Sequence, residues 1–160
     1  MFEITLICMG KLKEKFYLSA ADKYIKRLAG FCKFKLIELN EIRLPDCPSN
    51  SEITAGLEKE ALRIQEKIPK GSWFCVFTPE GKMLSSDIFA NKLAEIKLSG
   101  KSSACFLIGS SYGIASSLKQ KADFLLSMSP MTFPHHLACI MALEQLYRAE
   151  AIQNGSKYHK

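Results

Sequence analysis

No apolar run in this chain approaches the roughly 20 residues that a membrane-spanning helix needs. The opening segment lacks a signal-peptide pattern too, because Glu3 and then Lys11, Lys13 and Lys15 interrupt it. The expected setting is therefore cytoplasmic, with no membrane partner. There is also no C-x-x-C pair: Cys8, Cys32, Cys47, Cys75, Cys105 and Cys139 stand far apart, several inside apolar runs such as Trp73-Phe74-Cys75-Val76-Phe77. A zinc site or a disulfide framework needs clustered or secretory-type spacing. The reading is no metal, and reduced, mostly buried thiols acting as small hydrophobes. Internal repeats, low-complexity tracts and linkers are missing as well. The glycines of Gly109-Ser110-Ser111-Tyr112-Gly113 do not form the G-x-G-x-x-G fingerprint, which disfavours a nicotinamide enzyme.

What remains is one domain over residues 1–160, with 48% hydrophobic and 24% charged residues, enough to bury a core. The formal charge of +6 is compatible with a polyanionic partner without requiring one. Along the chain, Phe2 to Met9 alternates as a strand, with Ile4, Leu6 and Cys8 on one face. A helical pattern follows from Glu14 and ends at Gly30. Cys32 to Leu39 alternates again, Phe34 and Leu36 against Lys33 and Lys35. Glu41 to Asn50 has Pro45, Pro48 and no period, and reads as a surface loop. Ser49 and Glu52 have capping-box spacing and open a charged helix that runs to about Lys67. Trp73 to Phe77 and Ala104 to Ile108 are continuous apolar runs, as expected for strands covered on both faces. Thr78 to Gly81 reads as a turn, Ser85 or Ser86 as the cap of a helix through Leu98, and Ser116 to Ala122 as a short helix. Strands alternating with helices predict an α/β fold with a predominantly parallel sheet.

The stretch from Phe124 to Lys160 organises the rest. A short apolar run, Phe124 to Leu126, leads through a polar loop to a helix opening at Pro134 and running to about Asn154, with Gly155 as its stop. His135 then sits on the first helical turn, beside unpaired N–H groups and the positive end of the helix dipole. Loops at strand ends are where open α/β proteins place ligands, and three of them are expected to converge: Phe77 to Gly81, Gly109 to Gly113, and Met128 to Phe133. Glycine there permits close approach of a ligand or a positive φ, although Gly109 and Gly113 serve equally as tight-turn residues. His135, with a pKa near neutrality, suits a general base or a water-orienting group; the plainer reading is a helix-start residue bonding a carbonyl. Glu144 and Arg148 are spaced i, i+4, which fits a surface ion pair or an arginine aimed at phosphate or a cofactor.

Thr132-Phe133-Pro134-His135, Glu144-Gln145-Leu146-Tyr147-Arg148-Ala149 and Tyr158-His159-Lys160, with Met9-Gly10-Lys11-Leu12-Lys13 near the start, closely resemble the bacterial RlmH family. These are SPOUT-class methyltransferases that use S-adenosylmethionine to methylate N3 of a pseudouridine in 23S ribosomal RNA. The resemblance spans the chain. It implies a C-terminal trefoil knot with helices on both faces of the sheet, a homodimer, and the large ribosomal subunit or 70S ribosome as partner. It places Phe77, Gly109, Met128, Ser129, Pro130, Met131, Thr132 and Phe133 around S-adenosylmethionine. It assigns His135, Arg148, Tyr158 and His159 to the catalytic set, with the terminal residues lying across the active site and Tyr158 stacking on RNA. Leu137, Ile140, Met141 and Leu143 offer an apolar face for the dimer. The sequence departs from the family pattern at Phe77-Thr78, Ser110, Pro130, His136 and Cys139. Position 139, where the family carries arginine, shares a helix face with His135; the competing account makes Cys139 a core thiol beside Ile140 and Leu143. A non-enzymatic ribosome-binding protein and another nucleotide-dependent α/β enzyme are the rival functions.

Overall fold

The first strand decides the architecture. In the computed structural model, which describes residues 1–160, β1 (Glu3–Met9) is buried from Ile4 to Met9. Its alternation separates two cores. Ile4, Leu6 and Cys8 enter one, while Ile7 and Met9 enter the other, so the strand is covered on both faces. The remaining elements follow in order: α1 (Lys15–Leu28), β2 (Lys33–Leu39), α2 (Asn50–Gln65), β3 (Trp73–Met83), α3 (Ser86–Leu98), β4 (Ser103–Ile108), α4 (Ser116–Lys121), β5 (Phe124–Ser127) and α5 (His135–Gln153).

The five strands form one sheet in the order β2-β1-β4-β3-β5, every neighbouring pair parallel. β4 is buried throughout, as its unbroken apolar run requires. β2 lies at an edge and exposes Lys33 and Lys35. On one face α1, α3 and α5 pack through Leu28, Phe89, Leu93, Leu143 and Leu146 around Phe106. On the other, α2 and α4 pack through Ile64 and Leu118 against Ile7, Val76 and Leu107. The α/β fold with helices on both faces is therefore the observed one.

Local chemistry sets the boundaries. The Ser49 side chain accepts from the Glu52 N–H while Glu52 accepts from the Ser49 N–H, which is the reciprocal cap expected at the start of α2. Ser85, not Ser86, caps α3 by accepting from the Ile88 N–H. Pro134 stands one position earlier than expected, as the N-cap of α5 with extended ψ of 140°. Gly155 follows the helix at φ +65°, the left-handed conformation that stops it.

Two expectations are corrected. Thr78 to Gly81 is not a turn that ends β3. The strand continues to Met83, and the ladder to β5 slips so that both Phe77 and Lys82 pair with Leu126. Pro79 has no N–H for a ladder, and a β-carbon at Gly81 would stand 2.7 Å from the carbonyl carbons of Leu125 and Leu126. Such close backbone contact admits only glycine, so the bulge and its fixed residue are one feature.

Position 139 is the second. Cys139 is 1% exposed, and its sulfur lies 3.1 Å from that of Cys8 on β1. The core-thiol account holds, and Leu143, expected on a dimer face, is fully buried as well. Contact with Cys139 and burial push the Cys8 thiol well above its ordinary pKa, which keeps Cys8 a protonated core thiol. All six cysteines are free and only Cys47 is exposed. Cys139→Arg is thus expected to destabilise the protein by on the order of 4 kcal/mol, because an unpaired guanidinium would enter the core. Thermal unfolding should fall by about 10 °C for a chain of this size; an unchanged midpoint would put position 139 at the surface.

Candidate functional site

The three loops do converge. Residues 77–79, 108–114, 128, 129, 131–135 and 138 line a cavity of about 740 Å³ at the bulge of β3 and the C-terminal ends of β4 and β5. That volume lies within the range of small-molecule sites. Of the expected ligand-binding residues, Phe77, Gly109, Met128, Ser129, Met131, Thr132 and Phe133 line it, together with His135. Pro130 does not; it is exposed, on the outer side of its loop. No lysine, arginine, aspartate or glutamate is part of the wall. The interior is therefore one of backbone groups, aromatic and thioether side chains, suited to a flat, polar-edged heteroaromatic ligand.

Each loop is held by its own hydrogen bonds. Ser127 Oγ donates to the Ser129 carbonyl at 3.1 Å, and the Met131 N–H donates to Ser129 Oγ at 3.0 Å. The Gly113 N–H donates to the Ser110 carbonyl, and the Ser110 N–H returns a bond to the Gly113 carbonyl. Gly113 has φ +95° with open space where a β-carbon would go. Gly109 differs: a β-carbon there would stand 2.6 Å from the Gly113 carbonyl oxygen and overlap Ile114. Its lack of a side chain is required by the loop's own packing, as the turn reading expects, and its backbone also lines the cavity.

His135 stands where α5 begins. The helix has no side-chain cap, so first-turn N–H groups face the cavity mouth. The imidazole lies directly on Gly10, where a β-carbon would stand 2.9 Å from its Cδ2. Its Nδ1 is 3.6 Å from Glu41 Oε1. Burial, and next the neighbouring His136, lower the His135 pKa, with Glu41 pulling the other way. Glu41 also accepts from the Ser111 N–H at 3.2 Å and from its hydroxyl, tying the loop after β2 to the glycine loop. Glu41 and Gly10 were missed from sequence. The loop of Glu41 has no period to mark it, and only the close approach of His135 gives Gly10 a role at the site. The Glu80 carboxyl just outside the wall is lowered to about 2 by Lys119 and Thr78.

The other expected catalytic residues are elsewhere. Arg148 is 13 positions after His135 on an unbroken helix, roughly 20 Å away at 1.5 Å per residue. There Arg148 Nε donates to Glu144 Oε1 at 2.9 Å, Tyr158 OH donates to the same oxygen at 3.1 Å, and Arg148 Nη1 lies 3.0 Å from His159 Nδ1. His159 Nε2 reaches Asp87 of α3 at 3.3 Å. Of the two readings of the i, i+4 spacing, the ion pair is present, and it anchors the terminal residues. Within one protomer these residues fold along α5 and do not cross that protomer's own cavity.

Comparison with known proteins accords with this geometry. A family model described as "Predicted SPOUT methyltransferase" matches residues 2–159. A protein of Clostridium kluyveri named ribosomal RNA large subunit methyltransferase H is 42% identical over 157 residues, covering 98% of this chain and 99% of that one. Its namesake from Streptococcus thermophilus is 42% identical over 158 residues, covering 99% of each. Among solved structures, a tRNA (m1G37) methyltransferase from Aquifex aeolicus superposes with a TM-score of 0.53 at 12% identity, covering 92% of this chain and 69% of the other. The last likeness shows the fold alone.

The seating of His135 is testable. Gly10 has φ +87°, so alanine there carries a left-handed strain of roughly 1–2 kcal/mol and also displaces the imidazole. Gly10→Ala should therefore shift the His135 resonances in an NMR titration and lower stability together. In the wild type His135 should titrate below its ordinary 6.5. A depressed histidine pKa means the unfolded chain binds the extra proton first. Stability should then be lost as pH falls from 6.5 through the folded value, and His135→Gln should remove that slope. A His135 titration above 6.5 would contradict the environment described.

Proposed function

The chain belongs to the SPOUT methyltransferase family, and from that premise we propose that it transfers a methyl group from S-adenosylmethionine to N3 of a pseudouridine in large-subunit ribosomal RNA. The observation that carries the reading is identity of 42% along the whole chain with relatives named ribosomal RNA large subunit methyltransferase H. A chain of +6 charge whose candidate ligand cavity is uncharged is consistent with a polyanionic substrate outside and a compact cofactor inside.

The residues present fit the cofactor. The uncharged wall offers backbone donors and acceptors for an adenine edge, and Phe77, Met128, Met131 and Phe133 for its faces. Uncapped N–H groups at the start of α5 suit a carboxylate. S-adenosylmethionine, when bound, supplies an electrophilic methyl group on a sulfonium. The chain's part is alignment, since displacement at the methyl carbon is chiefly a positioning problem. The pseudouridine N3 is a weakly acidic imide and must lose its proton. His135 is the group at the cavity wall able to accept it near neutral pH. Glu41 beside Nδ1 stabilises the protonated imidazole once the proton has been taken.

Arg148, Tyr158 and His159 belong to the same reaction in this reading, as the contribution of a second copy. Their distance from His135 in one protomer supports a homodimer in which each tail completes its partner's cavity. The trefoil threading of α5 is part of the same proposal, as are cytoplasmic placement and action on the large subunit or 70S ribosome.

Purified protein given labelled S-adenosylmethionine and ribosomes should place label on one pseudouridine of the large-subunit RNA. Failure to label any RNA while the cofactor binds would favour a ribosome-binding protein without activity. Removal of Tyr158 to Lys160 should leave cofactor affinity unchanged in calorimetry and cut turnover by roughly 100-fold, the scale of lost alignment. Full turnover by the shortened chain would separate the tail from the reaction.

A further inference from the structure

The loop between β1 and α1 carries groups that the cavity does not use. Its centre is built in: the Leu12 N–H donates to Glu38 Oε1 at 2.7 Å, and the Leu12 side chain is 7% exposed. Around that anchor Lys11, Lys13 and Lys15 point to solvent, and none of the three enters any ion pair of the protomer. Glu14 is the single acid among residues 11–15, so the segment carries three positive charges against one negative.

Beside these cations runs a file of rings. Phe16 is 64% exposed, and its ring centroid lies 4.4 Å from that of Tyr17. Tyr17 lies 5.8 Å from His136, and His136 lies 4.0 Å from His135 at the cavity wall. Exposure falls along the file, from an open outer ring to half-buried inner ones. One exposed phenylalanine is unremarked on any protein surface. A graded aromatic path that ends at the candidate base, flanked by unpaired lysines, matches what unpaired nucleotides need: π faces for bases and point charges for phosphates.

We propose that Phe16 and Tyr17, with Lys11, Lys13 and Lys15, form the track on which single-stranded RNA flanking the target nucleotide is laid as that nucleotide enters the cavity. The proposal rests on the reading of the protein as a ribosomal RNA methyltransferase and adds the element that positions the substrate. Duplex RNA does not fit, because its bases have no free faces. A second copy of the chain fits poorly, because a twofold axis through this patch would set like lysine clusters against each other.

The test uses the full chain and a fluorescein-labelled, unstructured oligoribonucleotide, followed by anisotropy without cofactor. Phe16→Ala should weaken binding about 5- to 100-fold, the cost of one lost stacking partner, and Phe16→Trp should restore it. Replacing Lys11, Lys13 and Lys15 together by glutamine should reduce the slope of log K against log salt by about 2. Cofactor affinity and elution volume should match the wild type in every variant. With ribosomes, Phe16→Ala should raise KM and spare kcat.

Several results overturn the track. They are an oligonucleotide that does not bind the wild type, Phe16→Ala binding as wild type does, or Phe16→Ala changing the oligomeric state, which would make the patch an interface between copies. Wild-type activity on ribosomes, measured in parallel, separates the two proposals. If the wild type methylates and Phe16→Ala matches its KM, the track alone is wrong. If the wild type binds RNA through Phe16 yet methylates nothing, the enzymatic reading fails.

Discussion

The contact on which the site depends is that of His135 with Gly10. β1 ends at Gly10 in a left-handed conformation, and the first side chain of α5 lies on that bare α-carbon. One turn later Cys139 meets Cys8, so two successive layers of α5 seat on the end of β1. This fixes where the last helix starts, and with it the course of residues 128–134, which must span from edge strand β5 to the middle of the sheet. That span is the third wall of the cavity. A side chain at position 10 would lift the helix and open the wall together.

The far end of α5 is fixed by charge. Glu150 is 1% exposed and its two oxygens receive Lys97 Nζ of α3 at 2.7 and 2.8 Å, while the same nitrogen reaches Gln153 Oε1 at 2.9 Å. A buried pair of this kind contributes little over an apolar replacement, but leaving Glu150 without its lysine is expected to cost about 3–5 kcal/mol. Its effect is therefore on register: it fixes which turn of α5 faces α3. Between the two anchors the helix is packed by Ala142, Leu143, Leu146 and Ala149, all buried. Charge is kept out of the cavity and placed at its edges, as Glu41 on one side and the Glu80–Lys119 pair on the other. A low-charge interior then favours the neutral form of His135.

Features with local causes were legible in the sequence. The apolar runs of β3 and β4, the capping box of Ser49 and Glu52, the stop at Gly155 and the convergence of the three loops all follow from periodicity, caps and parallel topology. What escaped depends on residues distant in the chain. The β3 bulge arises because Gly81 meets the backbone of β5, more than 40 residues later. Cys139 shares a face with His135 by spacing, yet a face four residues long turns from cavity wall to core within one turn when a strand lies beneath it. The need for glycine at 109 comes from Ile114 and Gly113, which the loop folds against it. Glu41 sat in a stretch without pattern. The resemblance to a family named the residues of the site and a homodimer but carried no distances, so it did not say that His135 and Arg148 stand at opposite ends of one helix.

That separation has a physical consequence. α5 runs 19 residues without proline or glycine, a rod of roughly 28 Å. A continuous helix of this composition does not fold back, because each kink needs a proline, a bulge or an inserted group. The tail is tied to the far end of that rod by Glu144, Tyr147 and Arg27, whose guanidinium lies 5.9 Å from the Tyr158 ring. Releasing it would forfeit those contacts, and the five residues from the helix end to Tyr158 reach about 17 Å when fully extended, short of the rod's length. If the tail takes part in the reaction, a second polypeptide must bring it to the cavity. The site then has two halves with different charge. The uncharged cavity would take the small cofactor, whereas the tail, with Arg148 and Lys160, would bring positive charge to the nucleic acid. In a division of this sort each copy would supply the RNA-facing half of its partner's site.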